Sequence, residues 1–188
     1  MPASQKRTGR AVALRNSLLC RAARPLEPRM SPTAQPIEAI IFIGVQASGK
    51  STFYRQRFFD THVRISLDML RTRQREQFLF SACLEAKQPF VIDNTNPLPA
   101  DRARYIERAR ASGFRVVAYF FLTSLRDAIR RNRQRANKKQ VPVPAIVGTF
   151  RKLRPPALEE GYDALHTVTV APEDTFVVHP GIVAASPS

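Results

Sequence analysis

The stretch Gly44–Ser51, GVQASGKS, constrains this chain more than any other. It has glycine first and sixth, lysine seventh and serine eighth, directly after the apolar run IEAIIFI at Ile37–Ile43. Each fixed position has a physical reason. Gly44 and Gly49 permit backbone angles that turn amides inward and let the chain approach an anion closely. A helix starting at Lys50 adds its positive dipole end. Lys50 supplies a point charge for β- and γ-phosphates, and the Ser51 hydroxyl suits Mg²⁺. The chain has only seven glycines, and two of them stand here. Such a loop needs a strand entering it and a helix leaving it, which points to an α/β protein.

The rest of the chain keeps that alternation. Ile37–Ile43 is short, apolar and β-branched, as a strand buried on both faces should be. The pattern predicts a helix over 50–59, a strand over 62–67 (HVRISL) and a helix from Asp68 to about Lys87. In that long helix Leu70, Phe78, Leu79, Cys83 and Leu84 can share an apolar face. A third strand is expected at Phe90–Ile92, a helix at Asp101–Ser112 with Gly113 suited to follow it, and a fourth strand at Arg115–Leu122. Ser124, with Asp127 three residues on, marks the start of a helix to about Ala136. Pro144–Leu153 reads as a further helix, and Thr167–Val170 and Thr175–Val178 as last strands. The expected fold is a three-layer α/β P-loop architecture: a parallel sheet of about five strands, helices on both faces and a basic helical lid. Ligands in such sheets bind beyond the carboxyl ends of the strands.

The net charge is +15. Residues 1–36 hold seven basic residues against Glu27 alone, a net of +6, which leaves +9 for residues 37–188. That first segment is rich in Arg, Pro, Ser and Ala and is expected to be a disordered basic extension. It is either a targeting segment or untranslated, with Met30 as the alternative start. Residues 37–179 are expected to form one domain and 180–188 a flexible tail. There is no apolar run of eighteen residues, so no membrane span is expected. Cys20 and Cys83 make no metal or disulfide pattern, and a cytoplasmic setting is the default. No obligate protein partner is evident. The basic domain suggests an anionic ligand, although an Arg-rich surface accounts for the same charge.

Three further strand ends carry candidate chemistry. Asp68 and Arg71 are spaced i,i+3, which on one helix puts them on one face. Asp68 could accept a hydroxyl proton and Arg71 could hold an anionic group of the acceptor. An acid at a helix start with a local ion pair accounts equally for that spacing. The stretch FVIDNTNP has the form of a strand ending in a metal-holding aspartate, Asp93, which with Ser51 would bind Mg²⁺. Asn94, Thr95 and Asn96 are then expected to line the substrate cleft, an Asx turn being the plain alternative. Arg126–Lys139 (RDAIRRNRQRANKK) carries seven basic residues and one acid. Arg131 and Arg135 share a face of this lid and are the candidates to bind phosphate and to stabilise charge on the transferring group, a solvated basic face being the plain alternative. The phosphate cradle comprises Gly44, Val45, Gln46, Ala47, Ser48, Gly49, Lys50, Ser51 and Thr52.

These motifs, in this order, resemble the kinase domain of polynucleotide kinases and related small bacterial kinases. GVQASGKST, ISLDMLR, FVIDNTNP, RRNRQR and VPVPAIVGTFRKLRPPALEEGYDAL carry the likeness from Ile37 to about Val170. IDNTNP and the later P-x-x-x-E-G pattern (Pro156–Gly161) are its most specific parts. The resemblance implies an adenylate-kinase-like core in which Lys50 and Ser51 bind ATP·Mg²⁺ and Asp68 is the general base. It implies that Arg71 contacts the acceptor phosphate, that Asp93 lies near metal and acceptor, and that Arg135 is the lid arginine. The expected reaction is transfer of the γ-phosphate to a hydroxyl, with a polynucleotide 5′-hydroxyl as the leading acceptor. A small-molecule acceptor such as a nucleoside or sugar uses the same core, and an ATP-binding protein without transferase activity is the third reading.

Overall fold

A computed structural model describes residues 36–136, 140–171 and 175–182. The expected N-terminal extension and the Met30 start lie outside the described residues, as do residues 183–188 of the tail.

The elements run β1 (Glu38–Ile43), α1 (Lys50–Arg57), β2 (Val63–Ile65), α2 (Leu67–Leu70), α3 (Arg73–Glu85), β3 (Phe90–Ile92), α4 (Pro99–Ala111), β4 (Arg115–Phe121), α5 (Leu125–Arg133), α6 (Val143–Lys152), a 3₁₀ turn (Leu158–Glu160), β5 (Ala164–Val170) and β6 (Phe176–Pro180). The sheet order is β2-β3-β1-β4-β5-β6. The first five strands are parallel, and β6 pairs antiparallel with β5. The expected five-stranded parallel sheet is present, with one antiparallel edge strand added.

Strand alternation divides the core into two faces. Ala39, Ile41 and Ile43 of β1 point toward Phe80, Cys83 and Leu84 of α3 and Tyr105, Ile106 and Ala109 of α4. Ile40 and Phe42 point the other way, toward Phe53 and Tyr54 of α1 and Phe121. A third cluster joins Val45 of the phosphate loop to Ala128 of α5 and Ile146 of α6. The loop is therefore fastened by its own side chain to the two helices that roof it.

The single helix expected from Asp68 to Lys87 is two helices. Arg71 closes the first with φ 70° and ψ −31°, and Thr72 then turns extended and accepts a hydrogen bond from Arg75 N at 3.3 Å. A threonine able to cap α3 explains the break. The register of α3 also differs from the expected one. Its buried stripe is Glu76, Phe80, Cys83 and Leu84, spaced i, i+4, i+7 and i+8, and this leaves Phe78 on the solvent side at 69 % exposure. Leu70 and Leu79 pack at the margin of the core.

The P-x-x-x-E-G stretch has a structural role. Glu160 pairs with the fully buried Arg102 of α4 at 3.0 Å. A Cβ on Gly161, at φ 103°, would stand 3.0 Å from Ile106. A buried guanidinium needs this partner, because an unpaired buried charge is costly.

Candidate active site

The carboxyl ends of β1, β2 and β3 open into one cavity of about 540 Å³. The phosphate loop forms one wall, with Gln46, Ala47, Ser48, Gly49, Lys50 and Ser51 lining it. Ala47 and Gly49 both adopt positive φ, at 60° and 97°. A Cβ on Gly49 would meet Phe176 Cε1 at 2.9 Å, and one on Gly44 would meet Phe121 Cβ at 2.9 Å. The two glycines are thus required by close packing against β6 and β4. Val45 is buried behind the wall, and Thr52 sits back from it, its hydroxyl accepting from Arg55 at 3.4 Å. Gln46 ties the loop to α6 through Thr149 at 3.0 Å.

Lys50 folds over its own loop. Its Nζ donates to Gly44 O at 2.9 Å, Val45 O at 2.6 Å and Ser48 Oγ at 3.3 Å. Burial pushes its pKa down to about 8, with the Arg135 charge acting in the same direction and Asp93 and Asp68 opposing. Arg135 and Asp68 therefore lie within electrostatic reach of Lys50, and both line the same cavity.

Ser51 donates to Asp93 Oδ2 at 2.9 Å. This hydroxyl–carboxylate pair is oxygen-only, the donor chemistry that suits a hard cation such as Mg²⁺. A residue that sequence reasoning missed shares it. Arg64 of β2 donates from Nε to Asp93 Oδ2 at 2.8 Å and from Nη2 to Ser51 Oγ at 2.8 Å, while its guanidinium lies 5.6 Å from the Tyr54 ring centroid. An arginine in a three-residue strand reads as a solvent-facing position, and no local pattern marks it otherwise.

The Asn-Thr-Asn triplet lines the cavity and also joins three strand ends. Asn94 accepts from Leu67 N at 3.0 Å and donates to Glu76 at 2.6 Å. Thr95 O accepts from Gly44 N at 3.0 Å. Asn96 donates to Phe42 O at 2.8 Å from a backbone at φ 45°.

The acceptor side differs from the expected arrangement. Asp68 and Arg71 do not share one continuous helix, because Arg71 is the residue that ends α2. Asp68 lines the cavity together with Arg73, two residues beyond Arg71, and Arg71 does not line it. Arg73 Nη1 donates to Glu76 at 2.9 Å. Of the two lid arginines, Arg135 lines the cavity from just past the end of α5, whereas Arg131 sits on α5 with Nη1 buried and without a hydrogen-bond partner.

The profile of the family described as an AAA domain matches residues 40–154, the stretch that carries all of these groups except the Phe176 backing. The chain belongs to this family. The chain is also 27 % identical over 137 residues to the bifunctional polynucleotide phosphatase/kinase of Schizosaccharomyces pombe, a match covering 70 % of this chain and 33 % of that protein. It spans about a third of the length of that curated relative. Two solved structures share the fold. A gluconokinase from Sinorhizobium meliloti 1021 matches with a TM-score of 0.52 and 19 % identity, over 73 % of this chain and 85 % of that one. Chaetomium thermophilum Kti12, in complex with ADP-AlF3, matches with a TM-score of 0.55 and 15 % identity, over 70 % of this chain and 88 % of that one. The resemblance to P-loop kinases read from the motifs holds, and the AAA domain has the nucleotide-binding, three-layer α/β fold expected of it. No described helix of the AAA domain is long and apolar enough to cross a membrane.

Proposed function

We propose that this domain is a kinase that transfers the γ-phosphate of ATP to an acceptor hydroxyl, with the 5′-hydroxyl end of a polynucleotide as the leading acceptor. The observation that carries this reading is the presence of Asp68 in the same cavity as Lys50, Ser51 and Arg135. A carboxylate that lines the phosphate cradle's cavity from the carboxyl end of another strand suits proton removal from an incoming hydroxyl.

In this reading Asp68 takes the hydroxyl proton as the acceptor oxygen bonds to the γ-phosphorus. The bond from the γ-phosphorus to the β–γ bridging oxygen breaks, ADP leaves, and the proton passes from Asp68 to solvent. Lys50 and Arg135 neutralise charge on the phosphoryl oxygens, and Arg131 supports the nucleotide phosphates from α5. Ser51 and Asp93 would hold Mg²⁺, which supplies charge neutralisation at the β- and γ-phosphates. Arg71 is assigned to the acceptor's anionic group by its spacing from Asp68 and by the resemblance to polynucleotide kinases, and not by a place in the cavity lining.

The S. pombe relative supports a polynucleotide acceptor. A small-molecule acceptor is the second reading, favoured by an enclosure of about 540 Å³, a size typical of small-ligand sites. The test is transfer from γ-labelled ATP to oligonucleotides with 5′-hydroxyl ends, nucleosides and sugars, at low salt. Labelled oligonucleotide is expected, with loss of at least roughly 100-fold in Asp68→Asn while ATP binding persists. Labelling of a nucleoside or sugar alone would select the second reading. No labelled acceptor, and an Asp68→Asn variant indistinguishable from the parent, would leave a nucleotide-binding protein without transferase activity.

A further inference from the structure

We infer that Arg64 is a built-in stand-in for the divalent cation: its guanidinium binds the β-phosphate of a nucleoside diphosphate when no metal is present. The ligand is metal-free ADP. The inference rests on the phosphate loop, which every reading of the function shares, and not on transfer to an acceptor.

Arg64 is the middle residue of β2, between Val63 and Ile65. Its Nη2 donates to Ser51 Oγ at 2.8 Å and also to Asp93 Oδ2, the atom to which its Nε donates at 2.8 Å. Ser51 donates to the same carboxylate oxygen at 2.9 Å. Ser51 and Asp93 both line the cavity, and theirs are the two oxygens that suit Mg²⁺. One guanidinium nitrogen thus lies within hydrogen-bond distance of both.

The group is braced on its other sides. Nη1 donates to Met69 Sδ at 3.4 Å, and the guanidinium carbon lies 5.6 Å from the Tyr54 ring centroid. The Asp93 side chain is only 2 % exposed, so it requires a cation at all times, because an unpaired buried charge is costly. Arg64 meets that requirement without metal. An arginine held at all three nitrogens has lost most of its rotamer freedom before a phosphate arrives, so contact with an anion costs it less entropy.

Ser51 belongs to the phosphate loop, so a phosphate oxygen beside its hydroxyl is also near Nη2. The N–H now given to Ser51 Oγ turns to that oxygen, while Nε keeps Asp93 and Ser51 keeps its own bond to Asp93. The result is a charge-assisted hydrogen bond between guanidinium and phosphate. Arg64 yields the two oxygens when Mg²⁺ enters with nucleotide and takes them back when the metal leaves. Loss of the metal therefore does not expel ADP.

The test titrates ADP by calorimetry, once in EDTA and once in excess Mg²⁺. The proteins are the parent, Arg64→Gln, and the pair Arg64→Gln with Asp93→Asn, which leaves no buried carboxylate without its cation. The parent is expected to bind ADP in EDTA. Arg64→Gln is expected to weaken that binding about 10- to 100-fold and binding in Mg²⁺ by no more than about threefold. The double variant is expected to stay weak in EDTA, because the contact with phosphate is direct. Recovery in the double variant would show that Arg64 only masks the charge of Asp93. That result, an equal loss with and without Mg²⁺ in Arg64→Gln, or a parent that binds ADP only with Mg²⁺, would overturn the inference and leave the kinase reading untouched. A parent that holds ADP in EDTA in an Arg64-dependent way, yet labels no acceptor from ATP, would refute the kinase reading and leave the inference standing.

Discussion

Arg64 donates from Nε to Oδ2 of Asp93 at 2.8 Å, laying a guanidinium across the oxygen pair that suits a divalent cation. The same arginine reaches Ser51 Oγ at 2.8 Å. Arginine and metal would therefore contend for one carboxylate. In nucleotide-free protein, Arg64→Gln is expected to bind Mn²⁺ about tenfold more tightly, in line with the loss of a charge-assisted interaction. Electron paramagnetic resonance of free Mn²⁺ measures it directly, and an unchanged affinity would show that the two cations do not compete.

Lys50 carries a pH signature. Its pKa, lowered by burial to about 8 from 10.5, means that the unfolded chain binds more protons than the folded one between those values. This group therefore makes the fold more stable as pH rises from about 8 toward 10.5. Nucleotide phosphate acts in the opposite sense, because it favours the charged ammonium. At pH 8.5 nucleotide binding is expected to take up protons, and affinity should fall as pH rises. Calorimetry in two buffers of different ionisation enthalpy reports the uptake, and Lys50→Met should abolish it.

Asn96 is expected to act on stability more than on chemistry. Asn96→Ala removes the hydrogen bond to Phe42 O and puts alanine at φ 45°. The cost is about 1–3 kcal/mol, a fall in Tm of roughly 2–4 °C per kcal/mol at this chain length. Thermal melts of Asn96→Ala and Asn96→Gly separate the two causes, since glycine relieves the backbone strain alone.

Gly49→Ala is expected to abolish nucleotide binding. A Cβ there would meet Phe176 Cε1 at 2.9 Å, and the backbone at φ 97° strains any other residue. Adding Phe176→Ala removes the clash and leaves the strain. The double variant should therefore recover part of the lost thermal stability and little of the binding, as fluorescent nucleotide titration would show.

The sequence made some of this site plain and concealed the rest for physical reasons. The phosphate loop, the strand ending at Asp93 and the cap at Ser124 are local patterns, and local backbone chemistry decides them. The break at Arg71 hides in a polar run, RTRQRE, where Thr72 outcompetes helix continuation. Glu76 looks like an ordinary exposed helix acid, and only the approach of α4 and β3 buries it. Arg64 gains its position from Asp93, 29 residues away, which no spacing rule connects, and Arg73, paired with Glu76 at i,i+3, is also held by Tyr105 from 32 residues away. Asn94 and Asn96, expected to face substrate, give their side-chain amides to joining strand ends as well.

The contact between Phe176 and Gly49 also orders events in time. The phosphate loop is among the first parts of this domain to leave the ribosome, and Phe176 follows every other residue of the site. Until that ring arrives, Gly49 has Val170 of β5 behind it and lacks its nearest neighbour. A nascent domain is thus expected to hold nucleotide firmly only once synthesis has passed β6, the last described strand of the sheet.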